Sequence, residues 1–204
     1  MSLLKSDPLD ARQVRDKLQC WVEENKQLGS DHFFINELGF YNKIPDQRPE
    51  TAFRADLVSV GQRLAGFEIK SEKDNLKRWE AQKTAYTNVF DEVWLCAHEK
   101  HLLKALQGTP DHIGIISLSA TNELQLERPS VVGHGLNNSY DLSSMLWREE
   151  LDELGGMYGI KWTARTNKKQ VREILTTELT LEQIMEFVIK KLDLGKNILN
   201  LAVE

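Results

Sequence analysis

The chain has few cysteines. Cys20 and Cys96 are its only two in 204 residues, and neither sits in a C-x-x-C or Cys/His pattern. That excludes a zinc ribbon or a disulfide scaffold and fits a reducing, cytoplasmic setting. Each thiol lies in an apolar pattern, so both are expected to be buried structural cysteines. Long hydrophobic runs are also missing: nothing approaches the ~20 apolar residues of a membrane helix. The opening M-S-L-L-K-S-D-P-L-D is too short and too polar to read as a signal peptide. His98, His101, His112 and His134 are scattered without zinc-ligand spacing. Finally, there is no surplus of positive charge. Lys and Arg number 26 against 31 Asp and Glu, a net −5, so any nucleic-acid partner would have to be gripped by local clusters rather than by the whole surface.

What is present is an ordinary globular composition, 41% hydrophobic and 28% charged, enough for one domain or a domain with an appendage. The most informative stretch is R-A-D-L-V-S-V-G-Q-R-L-A-G-F-E-I-K, Arg54 to Lys70. Two apolar runs flank Gly61-Gln62-Arg63, which predicts a β-hairpin. A three-residue loop pairs Val60 with Leu64, Leu57 with Phe67 and Ala55 with Ile69, and sets Asp56 opposite Glu68. Alternation along the strands then places Asp56, Glu68 and Lys70 on one face and Leu57, Phe67 and Ile69 on the other.

Opposed carboxylates are destabilising in a sheet, so their pairing beside an ammonium calls for another reason. A hard cation such as Mg²⁺ supplies one, because it binds through one or two carboxylates together with waters and phosphate oxygens. Such an ion stabilises phosphoryl charge and acidifies water. Lys70, two residues beyond Glu68, is placed to orient or deprotonate that water. The plainer alternative is a polar face of ordinary surface pairs.

The same residues resemble the PD-(D/E)XK nuclease superfamily, the restriction-endonuclease-like fold. The acidic element is Arg54-Ala55-Asp56, with Ala55 standing where the proline of the superfamily's name would be. The E-x-K element is Glu68-Ile69-Lys70. Gln82-Lys83-Thr84-Ala85-Tyr86 resembles the Q-x-x-x-Y of the RecB-type branch, and the run from Gly66 to Val93 is similar to MmcB-like putative DNA-repair nucleases. The close resemblance covers about Phe33 to Ala97, with a looser echo at Leu146 to Leu151. It implies a metal-dependent nuclease in which Asp56 and Glu68 hold Mg²⁺ (or Mn²⁺), Lys70 is catalytic, and Gln82 supports the site or contacts the DNA backbone. Glu37 stands where related nucleases often supply a further acidic residue, a candidate third ligand. Tyr86 shares a helical face with Gln82 and either packs in the core or contacts DNA. Lys73, Lys77 and Arg78, together with Lys83, are the basic residues nearest the site.

The element pattern predicts helix, three strands, helix, strand: a helix from Asp10 to Leu28 ended by Gly29, a strand Phe33–Leu38, the hairpin, a helix capped by Asp74 that runs through Phe90, and a buried strand Val93–Ala97. This is an α/β reading that matches the αβββαβ core of the resembled fold, with a mixed sheet. A helix near His101 to Leu106, a strand Ile113–Leu118 and an edge strand around Leu124 to Leu126 follow. The expected domain spans 1–130, a Gly/Asn-rich linker 131–139, and a helical appendage 140–204. In the appendage a helix through Leu146 and Leu154 is ended by Gly155-Gly156, and a last helix covers Thr180–Leu192. A second basic cluster, Lys161, Arg165, Lys168, Lys169 and Arg172, is flanked by Tyr158 and Trp162 and reads first as solvated surface. The expected partner is DNA, with RNA left open, no membrane, and a homodimer through the C-terminal helices as one use of the appendage. A catalytically silent nucleic-acid-binding module and a protein-interaction domain are the rival functions.

Overall fold

In the computed structural model, residues 7–25, 31–43, 50–133 and 138–201 are described. Their order is α1 (Ala11–Glu24), β1 (Phe33–Asn42), β2 (Thr51–Val60), β3 (Leu64–Lys70), α2 (Trp79–Thr87), β4 (Glu92–His98), α3 (Glu99–Gly108), β5 (Gly114–Leu118), β6 (Leu124–Arg128), α4 (Ser139–Leu142), α5 (Arg148–Met157), α6 (Lys168–Glu178) and α7 (Leu181–Leu201). The protein is mixed α/β, and the element types from α1 to β4 follow the predicted order. The chain divides into two compact units, residues 1–38 with 55–135, and residues 39–54 with 136–204. The second unit therefore takes in the ends of β1 and β2 as well as the C-terminal helices, whereas the sequence reading ran the first domain without a break to residue 130. Gly29 and linker residues His134 to Asn137 lie outside the described residues.

The six strands form one sheet in the order β1-β2-β3-β4-β5-β6. β3, β4 and β5 run parallel, while β2 and β6 pair antiparallel with β3 and β5. Parallel neighbours need crossover connections, and α2 and α3 provide them. The hairpin register is the expected one from Leu57↔Phe67 to Val60↔Leu64. One sheet face, with Leu57, Phe67, Ile69, Trp94, Cys96 and Ile116, is covered by Val14, Leu18 and Val22 of α1. Asp10 and Gln13 start that helix with a reciprocal capping box. Cys96 is buried as expected, but Cys20 is exposed: the three buried α1 residues define a stripe that leaves position 20 on the solvent side.

Local chemistry explains the other departures. Asp74 does not cap α2. It accepts the backbone N–H and the hydroxyl of Ser71, at 2.8 and 2.6 Å, closing a turn after β3, and α2 starts only at Trp79. Gly155 and Gly156 sit inside α5 rather than after it, because a Cβ on Gly155 would fall 2.1 Å from the Trp162 ring. The missed α6 has its own start signal, a reciprocal Asn167–Gln170 capping box. In the second unit the buried Asp141 carboxyl accepts from Asn42 Nδ2 and Lys43 N, both at 2.8 Å.

Close approach also decides Gly66. A Cβ there would lie 2.4 Å from the Phe90 ring, whereas one on Gly156 would meet nothing within 4 Å. Gly66→Ala is therefore expected to lower stability by about 1–3 kcal/mol through overpacking, and Gly156→Ala to raise it by about 0.5–1 kcal/mol through helix propensity. Thermal or urea unfolding of the two variants checks the opposite signs.

Candidate active site

Strand β3 is buried along its whole length, yet it carries Glu68 and Lys70, each 3% exposed. Side chains alternate along a strand, so placing Phe67 and Ile69 against α1 turns Glu68 and Lys70 to the opposite face. There α2 meets them. Lys70 Nζ donates to Glu68 Oε1 at 2.5 Å and to Gln82 Oε1 at 3.1 Å. Gln82 Nε2 donates to Glu68 Oε1 at 2.7 Å, and the Tyr86 hydroxyl donates to Glu68 Oε2 at 2.5 Å. Burial, and then the neighbouring Glu68, push the Tyr86 phenol well above its ordinary 10.0, so it remains a donor. Gln82 and Tyr86, one helical turn apart, thus both clamp the same carboxyl group. Of the two placements open to Tyr86, the structure shows the core: it is fully buried and its hydroxyl is spent on Glu68.

Asp56 comes from β2. The ladder with β3 is regular up to Leu57↔Phe67; beyond it, the Asp56 carboxyl takes the place of the next strand bond, its Oδ2 accepting Ile69 N–H at 2.8 Å. Asp56 is therefore held against β3 by its own side chain, a departure from the continued pairing the hairpin pattern implied. Its other oxygen has no hydrogen-bond partner among the described residues. Burial and the charge of Glu68 raise the Asp56 carboxyl from 3.8 to about 6, against the opposing pull of the Ile69 N–H, Lys70 and Arg15.

Arg15 was not foreseen. Its Nη1 reaches the Asp56 carbonyl at 3.4 Å and Glu37 Oε1 at 3.3 Å. The sequence signal was slight: an arginine next to Val14 and three residues before Leu18 lies at the edge of the α1 apolar stripe. Glu37 is exposed on β1 and has φ +58°, a left-handed conformation rare for a non-glycine residue. It is tied to Arg15 rather than grouped with the other two carboxyls. Among the described residues no set of three or more His, Cys, Asp or Glu side chains converges as a metal-ligating group. Lys73, Lys77 and Arg78 are exposed between β3 and α2. Lys83 is engaged by Glu80 and the Gly108 carbonyl, both at 2.7 Å.

The donor set that remains is two carboxyl groups of hard oxygens beside one amine. A carboxylate offers about four lone-pair directions; Glu68 has three filled by Lys70, Gln82 and Tyr86. One direction on Glu68 and the second oxygen of Asp56 remain, which fits a cation that keeps most of its water shell, as Mg²⁺ does.

The model of the family described as bacteriophage P4 protein cII matches residues 22–195. The chain belongs to this family. A curated relative, Protein cII of enterobacteria phage P4, is 28% identical over 184 residues, covering 89% of this chain and 66% of the relative. The chain thus spans just under two thirds of that relative's length. Among solved structures, a protein of unknown function from Silicibacter pomeroyi matches with a TM-score of 0.39 and 12% identity, over 78% of this chain and 94% of that one. The cII family match takes in Glu37, Asp56, Glu68, Lys70, Gln82 and Tyr86; Arg15 lies before it.

Two substitutions should act in opposite directions. Removing Lys70 leaves Glu68 buried without its cation, so Lys70→Met is expected to cost about 3–5 kcal/mol. Asp56 binds its proton more tightly folded than unfolded, so its contribution to stability is full below pH 3.8 and is lost as pH rises through about 6. At pH 7 without divalent cations, Asp56→Asn should therefore be more stable than the native chain by on the order of 1–2 kcal/mol, discounted for residual solvent contact. At pH 4 the difference should vanish. Thermal melts at the two pH values check both expectations.

Proposed function

We propose that the protein hydrolyses phosphodiester bonds of nucleic acid, DNA in the first place, with a divalent cation held by Asp56 and Glu68 on a restriction-endonuclease-like core. The observation that carries the reading is the buried cluster on β3. Enclosing a glutamate and a lysine in an apolar sheet is costly. Lys70, Gln82 and Tyr86 all bond the one glutamate, and a second carboxyl, that of Asp56, lies close enough for Glu68 to raise its pKa. Strong electrostatic tension of this kind gathers at sites of chemistry. The resemblance of R-A-D, E-I-K and Q-K-T-A-Y to PD-(D/E)XK nucleases supports the same assignment.

When bound, Mg²⁺ or Mn²⁺ supplies charge stabilisation at a phosphoryl oxygen and a more acidic water. The chain's own residues do the rest. Asp56 and Glu68 offer hard oxygens; Gln82 and Tyr86 fix the Glu68 carboxyl, as outer partners of ligands commonly do. Lys70 is the group that orients the attacking water and stabilises negative charge as it develops. Lys73, Lys77 and Arg78, exposed beside the site, give the phosphate backbone cations to meet. A second reading, nucleic-acid binding without turnover, draws on the same cluster: Glu68 is already nearly saturated by internal donors.

Cleavage separates the two. Supercoiled, linear duplex and single-stranded DNA are incubated with the protein and Mg²⁺ or Mn²⁺, with Asp56→Asn as the comparison because that variant should keep its fold. The expected result is metal-dependent degradation that falls on the order of 100-fold or more in Asp56→Asn, and about 10–100-fold in Tyr86→Phe. Equal degradation by native chain and Asp56→Asn would refute the mechanism, and binding without any cleavage would favour the second reading.

A further inference from the structure

Between Gly159 and Arg172 the chain carries five cations, Lys161, Arg165, Lys168, Lys169 and Arg172, and no Asp or Glu. Only part of this run is used up internally. Arg172 is buried, donating to the Tyr140 carbonyl at 2.6 Å and pairing with Glu50, and Lys169 lies 3.5 Å from the same glutamate. Lys161 and Arg165 are exposed and Lys168 half-buried. None of these three has an ion-pair partner among the described residues.

The segment from Ile160 to Thr166 lies as a strap along α5. At one end Ile160 N bonds the Gly155 carbonyl at 2.9 Å. In the middle Trp162 Nε1 donates to Asp152 at 2.8 Å, and its ring covers Gly155. At the other end Arg148 Nη1 donates to the Thr166 carbonyl at 2.6 Å. The strap therefore follows the helix for about 10 Å, from Gly155 back to Arg148 at the usual rise. Most acids of α5 are engaged elsewhere: Asp152 is held by Arg148 and Trp162, Glu150 bonds the Trp147 N–H, and Glu153 pairs with Lys191, while Glu149 and Glu150 act on Lys168 through their charge without forming an ion pair with it. Large aromatics stand at both ends of α5. Trp147 at its start is 73% exposed, and Tyr158 after its end is 44% exposed.

From these features we infer that the strap and the ends of α5 form a second nucleic-acid contact surface, for a single strand, in which Lys161, Arg165 and Lys168 meet phosphates and Trp147 stacks on a base. Cations without ion-pair partners, set along an open depression of about 430 Å³ between α5 and the strap, suit a polyanion. A tryptophan left almost wholly in water, at a large cost in exposed apolar area, suits the face of an unpaired base. Sequence-independent strand binding of this type combines those two elements. The inference stands apart from the catalytic reading, since it needs neither Asp56 nor a metal.

Fluorescence anisotropy of a labelled single-stranded oligonucleotide, measured in EDTA over a range of salt concentrations, tests it. The triple variant Lys161→Ala/Arg165→Ala/Lys168→Ala should weaken binding on the order of 10–100-fold at low salt. It should also flatten the slope of log affinity against log salt by about 2, at ~0.7 per phosphate contact. Trp147→Ala should weaken binding about tenfold or more, with melting temperature unchanged because the side chain is exposed. Lys104→Ala, at an exposed cation of α3 outside both sites, should bind as the native chain does. Native affinity and native salt slope in the triple variant would overturn the inference, as would Trp147→Ala binding at full strength or a protein ligand that competes for this face while the oligonucleotide does not bind. Absence of metal-dependent cleavage by the native chain, with strand binding intact, would count against the catalytic reading alone.

Discussion

Glu68 and Lys70 leave water together on one buried strand, and the arrangement of the first unit around them follows from that. Each needs partners that an apolar sheet cannot offer. α2 supplies them from Gln82 and Tyr86, whose spacing of one turn lets a single helix face meet both oxygens of the same carboxyl. Asp56 is drawn in from β2 in the same way: its side chain bonds the Ile69 N–H and takes over where the strand ladder stops. The consequence is two carboxyl groups near each other, one of which holds its proton up to about pH 6 because burial and its neighbour disfavour the charge. A folded chain that only needed stability would gain from apolar residues at these positions.

The hairpin was legible because its signals are local. Alternating apolar residues around Gly61-Gln62-Arg63 fix both register and face, and the face assignment for Glu68 and Lys70 follows from parity alone. What the pattern could not contain is the end of the ladder at Leu57, since a side chain substituting for a strand bond leaves no trace in hydropathy. Asp74 misled for a related reason. An Asp ahead of a helical period reads equally well as a helix cap or as a turn closure, and here Ser71 competes successfully for it. Arg15 escaped notice because its partners, Glu37 and the Asp56 carbonyl, are far away in sequence.

In the second unit the misreadings have packing causes. Gly155-Gly156 looks like a helix stop, but Trp162 needs the missing side chain at 155 to lie against α5. Arg172 belongs by sequence to a basic surface run, yet it is buried against Glu50 and the Tyr140 carbonyl. A run of like charges thus separates into one cation used to hold the unit together and others left facing solvent, a distinction that only three-dimensional partners reveal.

The most direct measurement is anomalous scattering from crystals of the protein soaked in Mn²⁺. One peak is expected, about 2.1 Å from an Asp56 oxygen and a Glu68 oxygen, and absent in Asp56→Asn. A fully soaked crystal with no manganese at these two carboxyls, or with manganese bound unchanged in Asp56→Asn, would contradict the view that they are kept together to hold a cation.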